Sequence, residues 1–299
     1  MSSLPGEKPL APEHREILAS LLGDPEVEVA DAVFLVQGWT NLNYRLSVAG
    51  QELALRICSG PDAPADSPVS KAAAMRRRHE LELLHGPAQG FAPELLGYQL
   101  PQGHLLTRFV AGPMLEVAPP QPDELAEFAA RLHTSLGDLR CRYDPRLKIE
   151  SHLSRARSAG YRAAAIAVNA FEGLKLDPTL EIDATVGCHN DFNPWNVIRG
   201  PDRWYVFDWE TAANYDPWFD LVCMFEGLAW SAQPRRETLE RYAELSGRTS
   251  ISDDRLRQFT LLFQLGSYAW AYAECCAGND RAELERQVET SLDAIAGLS

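Results

Sequence analysis

Cys188-His189-Asn190-Asp191-Phe192-Asn193-Pro194-Trp195-Asn196-Val197-Ile198 is the stretch on which the reading of this chain turns. It has the form His-x-Asp-x4-Asn between two apolar stubs. Moving a phosphoryl group asks little covalent chemistry of a protein. It needs a carboxylate near the attacking hydroxyl and an oxygen ligand for Mg2+. Asp191 and Asn196, five positions apart on a tight loop, can supply those two groups, and Pro194 stiffens the loop. An Asn/Asp/Pro-rich turn between strands is the plainer alternative.

The downstream segment Trp204-Tyr205-Val206-Phe207-Asp208-Trp209-Glu210 narrows the choice. Asp208 lies seventeen positions after Asp191, at the end of a short apolar strand. Mg2+ is a hard cation that prefers carboxylate and amide oxygens. Asp208 and Asn196 are a natural pair for it, and Glu210 can reach a second metal or its water shell. Without a metal, Asp208 would only cap the next turn.

His189–Ile198 and Val206–Glu210 resemble the catalytic loop and metal-binding segment of the aminoglycoside phosphotransferase and choline kinase superfamily. Tyr215-Asp216-Pro217-Trp218-Phe219-Asp220-Leu221 resembles its Asp-Pro-x-x-Asp-Leu element. The likeness runs from about Phe34 to Tyr272. It implies an α+β, bilobal, protein-kinase-like fold, with a small antiparallel β-rich lobe and a larger helical one. It also implies ATP and Mg2+ as cofactors, Asp191 as catalytic base, and Asn196 and Asp208 as magnesium ligands. Asp220 would hold the catalytic loop or cap a helix.

The N-terminal third fits that expectation. Gln37-Gly38-Trp39-Thr40-Asn41-Leu42-Asn43-Tyr44 resembles the family's nucleotide loop. Its backbone N–H groups can cradle phosphates, with Gly38, Thr40 and Asn41 as the contacts. In Leu53-Ala54-Leu55-Arg56-Ile57 the alternation of a strand puts Arg56 on the face opposite the leucines. The resemblance gives Arg56 the phosphate-binding role that protein kinases give to lysine. Glu80, on a helix read over Lys71–His85, is its best partner candidate, and Glu82 is the alternative. Phe109 and Val110 stand where the resemblance puts adenine, read by backbone groups. Helices are expected over Pro12–Leu22, Pro122–Leu136, Ser151–Phe171, Pro217–Trp230, Arg235–Ser246, Asp253–Cys275 and Arg281–Leu298. Residues 1–110 form the expected nucleotide-binding lobe. Residues 111–299 form the helical lobe with catalytic loop and acceptor site.

Gly-x-Gly-x-x-Gly, His-Arg-Asp and Asp-Phe-Gly are missing, and Ala-Pro-Glu occurs only at 11–13 and 92–94, ahead of the Cys188–Ile198 loop, so a protein substrate is not expected. The acceptor should be a small hydroxylated molecule. Asp208-Trp209-Glu210 and the aromatic run Ser267–Tyr272 resemble choline and ethanolamine kinases. Tyr268, Trp270, Tyr272 and Trp230 can offer ring faces to a cation, with Glu210 and Asp216 adding negative field. Tyr268 and Tyr272, at i,i+4, can equally be plain helix packing. The expected function is phosphorylation of a choline, ethanolamine or thiamine type metabolite. An antibiotic phosphotransferase and a pseudokinase-like nucleotide-binding module are the alternatives.

Composition agrees with these limits. Among 299 residues, 28 Lys and Arg face 42 Asp and Glu, for a net charge of −14. Such a surface repels nucleic acid and anionic lipid and can attract a cationic substrate. A 45% hydrophobic, 23% charged chain is ordinary for a globular protein, not a disordered one. Six cysteines without a Cys-x-x-Cys pair read as free thiols of a cytoplasmic protein. No run approaches the length of a membrane span, and the first residues do not resemble a signal peptide. Oligomeric state has no signature here.

Overall fold

A computed structural model describes residues 10–37, 41–58, 68–174 and 185–298. Its contacts divide the chain into two compact units. The first comprises Met1–Ala118 with Trp195–Ala212, and the second Pro119–Pro194 with Ala213–Ser299.

The first unit is built on five antiparallel strands: β1 (Val29–Gln37), β2 (Asn41–Val48), β3 (Gln51–Cys58), β4 (Leu95–Gln99) and β5 (His104–Arg108). Their order is β1-β2-β3-β5-β4. The alternation of β3 fixes its faces: Leu53, Leu55 and Ile57 are buried in the core, and Ala54 and Arg56 face the other way. Phe34, Tyr44, Leu46 and Leu106 complete that core with Leu18 of α1 (Pro12–Leu22). Each such side chain contributes roughly 1.5–3 kcal/mol on burial. Helix α2 runs over Pro68–Leu84, three residues earlier than the spacing suggests.

Two short strands, β7 (Val197–Arg199) and β8 (Trp204–Val206), pair as a hairpin and join this unit from far along the chain. The Val206 N–H donates to Phe91 O, and the Leu115 N–H to Val197 O. Gly112, at φ +148°, packs where any Cβ would lie 2.1 Å from Arg199 O.

The second unit is mainly helical: α3 (Pro122–Leu136), α4 (Pro145–Ser158), α5 (Ala165–Gly173), α6 (Pro217–Gly227), α7 (Ala232–Ser246), α8 (Asp253–Cys276) and α9 (Ala282–Leu298). Leu125, Phe128, Ala129 and Leu132 form the buried face of α3. The single helix expected over Ser151–Phe171 is in fact two. Asp144 caps α4 by accepting the Leu147 N–H, with Pro145 in its first turn. The chain leaves the helix at Gly160, whose φ of +87° is costly for any residue with a Cβ. Strands β6 (Val186–Cys188) and β9 (Ala213–Tyr215) pair antiparallel at the foot of the loop that follows β6. Among the described residues, no helix is long and apolar enough to cross a membrane. None of the six cysteines is in a disulfide.

Candidate active site

In the first unit, Arg56 is the centre of a charged network. Its Nη2 donates to both carboxylate oxygens of Glu80, at 2.8 and 2.7 Å. Glu80, not Glu82, is therefore its partner. Arg56 Nη1 lies 4.0 Å from Asp208 Oδ1. The Arg56 side chain is 12% exposed and that of Glu80 1%. Burial works against both charges, but each is held by the other. The Glu80 carboxyl lies below its ordinary range and the Arg56 guanidinium well above its own. Tyr98 donates to Glu80 Oε2 at 2.7 Å, and burial followed by the Glu80 charge pushes its phenol far up.

Asp208 follows β8 with a left-handed backbone, φ +63° and ψ +63°. Asp tolerates this conformation better than most residues because its short side chain can bond locally. Trp209 Nε1 donates to Val206 O and locks the turn, leaving the Asp208 side chain 40% exposed. Glu210 accepts from Arg77 Nη1 at 3.0 Å. The Asn196 carbonyl receives the Phe207 N–H, which ties the two metal-candidate segments together within one unit. Gly38 and Thr40 lie outside the described residues. Asn41 opens β2, with its Oδ1 buried and without a hydrogen-bond partner. The Phe109 N–H is committed to Glu52 O, so any adenine contact there must use another backbone group, such as those of Val110.

In the second unit, the residues from His189 to Pro194 are buried except for Asp191. Asp191 Oδ1 accepts from Asn193 Nδ2 at 2.7 Å. Phe192 anchors the loop by stacking on Phe128. Asn190, at φ +60°, donates through Nδ2 to Ala213 O. Asp220 accepts the N–H groups of His189 and Asn190, at 2.8 and 2.7 Å. It also lies 3.1 Å from His133 Nε2, whose Nδ1 meets the Tyr242 hydroxyl at 2.8 Å. Asp220 is thus a loop anchor and not a helix cap. His133, Asp220 and Cys188 come close enough to suggest a metal cluster. Asp220 accepts the two backbone donors and meets His133, and the Cys188 thiol donates to the Val186 and Tyr215 carbonyls, so each of the three side chains has hydrogen-bond partners that support the loop.

The residues expected at the acceptor site separate. Asp216 is not an open source of negative field. It caps α6 through the Trp218 N–H and pairs with Arg255, and it is buried. Tyr268 is 1% exposed, its hydroxyl accepts the Ala164 N–H, and its ring stacks on Tyr272. Tyr272 donates to Arg162 O. This is the packing its i,i+4 spacing allowed, and it leaves Tyr268 no ring face for a cation. Trp270 and Trp230 are half-buried, and Trp230 stacks on Phe225.

Residues 31–259 match the family described as "Phosphotransferase enzyme family". The chain belongs to that family. Over 61 residues it is 33% identical to Protein LicA of Haemophilus influenzae, a match covering 20% of this chain and 23% of that protein. The aligned segment thus spans about a quarter of this relative's length. Solved structures share the fold, two of which span its range of chemistry. The choline kinase LicA from Streptococcus pneumoniae aligns with TM-score 0.74 at 20% identity, over 95% of this chain and 97% of that one. A spectinomycin phosphotransferase in complex with ADP and spectinomycin aligns with TM-score 0.60 at 12% identity, over 97% and 99%. The fold is the mixed, protein-kinase-like one of this phosphotransferase family.

Four contributors escaped the sequence reading: Arg77, Tyr98, Asn193 and Tyr242. Arg77 had a signal, because it precedes Glu80 by three and so shares its helix face. The others become visible only through contacts in space.

Proposed function

We propose that this chain is an ATP- and Mg2+-dependent kinase that transfers the γ-phosphoryl group to the hydroxyl of a small cationic metabolite of the choline, ethanolamine or thiamine type. The observation that carries this reading is Arg56. A buried guanidinium, gripped by a helix carboxylate, stands 4.0 Å from the exposed carboxylate of Asp208. A phosphate-binding cation and a metal-binding anion then share one neighbourhood. On this reading residues 1–110 serve the nucleotide, with Gly38, Thr40, Asn41 and Val110 as further contacts. Residues 111–299 serve catalysis and the acceptor.

Asp208 and Asn196 fit Mg2+ by donor chemistry, offering a carboxylate and an amide oxygen from segments tied within one unit. When bound, the ion neutralises charge on the β- and γ-phosphates. Arg56 orients the triphosphate. Asp191, oriented by the Asn193 amide that donates to its Oδ1, takes the acceptor proton as the new O–P bond forms and ADP leaves. Trp230, Trp270 and Tyr272 are the aromatic candidates for the cation, and the net charge of −14 favours its approach. A cytoplasmic location suits the free thiols. The likeness to a spectinomycin phosphotransferase favours an antibiotic acceptor as the second reading.

The test is transfer from radiolabelled ATP with Mg2+ to a panel of choline, ethanolamine, thiamine and aminoglycosides. One hydroxylated cation among choline, ethanolamine and thiamine should be phosphorylated, and EDTA should abolish the reaction. Turnover of antibiotics alone would move the assignment to the second reading. Tight ADP binding without turnover of any member would make the chain a nucleotide-binding module.

A further inference from the structure

Helix α2 is fastened to the Asp208–Glu210 segment at two points. Arg77 Nη1 donates to Glu210 Oε2 at 3.0 Å, and His79 Nε2 lies 2.7 Å from Ala212 O. The same helix carries Glu80, which grips Arg56. Arg77 Nη1 is also 3.8 Å from Glu80 Oε2, so one guanidinium spans both carboxylates. The site around Arg77 is shaped for it. Its stem crosses Gly103, where an added Cβ would come 2.4 Å from Arg77 Cδ. The side chain is 14% exposed, so the pair with Glu210 is partly shielded from solvent.

Three carboxylates, Glu80, Asp208 and Glu210, thus face two guanidinium groups, Arg56 and Arg77. Strand β3 reaches the network through Arg56, and the segment after β8 reaches it through Asp208 and Glu210. Arg56 and Glu210 lie on different elements, and α2 is what connects them. A ligand that draws on Arg56 therefore acts on a helix that also holds Glu210.

We propose that Arg77 is a positioning residue that makes metal binding and nucleotide binding cooperative, by tying Glu210 to the helix that aims Arg56. This rests on the nucleotide and metal roles proposed above. It gives Glu210 the task of a strut between α2 and the metal segment. Because Arg77 acts through Glu210, removing either partner should remove the same coupling.

The experiment measures Mn2+ affinity by electron paramagnetic resonance, with and without saturating ADP, and ADP affinity by calorimetry in EDTA. It compares the full chain with Arg77→Gln, Arg77→Lys, Glu210→Gln and the double variant Arg77→Gln/Glu210→Gln. In the parent protein ADP should tighten Mn2+ binding. In Arg77→Gln that enhancement should shrink about ten-fold, while ADP affinity in EDTA changes little. Arg77→Lys should recover part of it, and the double variant should be no worse than either single one. An Arg77→Gln protein with the full enhancement overturns the proposal. So does an equal loss of ADP affinity in EDTA, which would place Arg77 on the phosphates directly. Failure of the parent protein to bind ADP at all would instead overturn the nucleotide reading. Circular dichroism of each variant keeps a folding defect distinct from these outcomes.

Discussion

Arg56 and Glu80, twenty-four positions apart, meet through a single amino group that bridges both carboxylate oxygens. Nη2 is thereby saturated, and Nη1 is left to face Asp208. The pair aims a cation as well as neutralising one.

Breaking that pair should be costly. Removing one partner of a buried ion pair leaves the other charge unsolvated, at about 3–5 kcal/mol. Glu80→Ala should lose stability in that range in urea denaturation of the ligand-free protein. A loss under about 1 kcal/mol would mean that the pair does not support the fold.

The same pair sets a pH dependence. Glu80 is held below its ordinary pKa of 4.5, despite burial, by the charge of Arg56. A carboxyl with a depressed folded value stabilises the protein above the ordinary range. That stabilisation fades as pH falls through the lower, folded value. The stability gap between the parent protein and Glu80→Gln should therefore be constant near neutrality and should close only below about pH 4. A gap that narrows between pH 6 and 8 would contradict this origin, since proton linkage ties the change to the carboxyl alone.

Asp220 supports two backbone donors and His133. Asp220→Ala should cost about 2–5 kcal/mol, because the N–H groups of His189 and Asn190 stay buried. Tyr242→Phe removes only the outer link to His133 and should cost about 1 kcal/mol. Equal effects of the two variants in urea denaturation would show that the strut is not graded in this order.

Asp191 is the partly exposed residue of a buried loop, so its substitution should spare the fold. Asp191→Asn should keep the thermal midpoint within a few degrees and retain ADP binding, while turnover falls about 10²–10⁴-fold. Undiminished turnover on the phosphorylated panel member would remove Asp191 as the base.

Gly112→Ala would place a Cβ 2.1 Å from Arg199 O at a φ of +148°. Backbone strain and overpacking of this kind cost about 1–3 kcal/mol each. Thermal denaturation should show the loss, and an unchanged midpoint would mean that β7 can give way.

Much of the fold could be read from local signals. Pro12 and Pro122 stand in the first turns of α1 and α3, and Gly23 and Gly137 close them, so both helices match their expected bounds. The period of two in β3 predicted the direction of Arg56. The alanine-rich stretch after Ser151 concealed a break, because propensity varies little along it and only Gly160 marks the end of α4. Strand β9 is too short, at three residues, to show any alternation. Asp216, expected from the sequence as a source of negative field, caps α6 instead, a role that its place just before Pro217 permits. Its neutralising partner Arg255 is thirty-nine positions away, and no periodicity predicts it. The aromatic run at Tyr268 gave the right helix but not its packing partners, which come from the 162–164 segment.

The hairpin of β7 and β8 has a consequence for synthesis on the ribosome. The first unit needs Val197 to receive the Leu115 N–H and Val206 to donate to Phe91 O. Its N-terminal stretch ends at Ala118, and its remaining piece ends at Ala212. A nascent chain must therefore be extended by a further 94 residues (212 − 118) before this unit has all its parts. At about 5–20 residues per second that is a wait of about 5–20 s. During it, Phe91 O and the Leu115 N–H lack their native partners, and the five-stranded sheet has to persist on its own core.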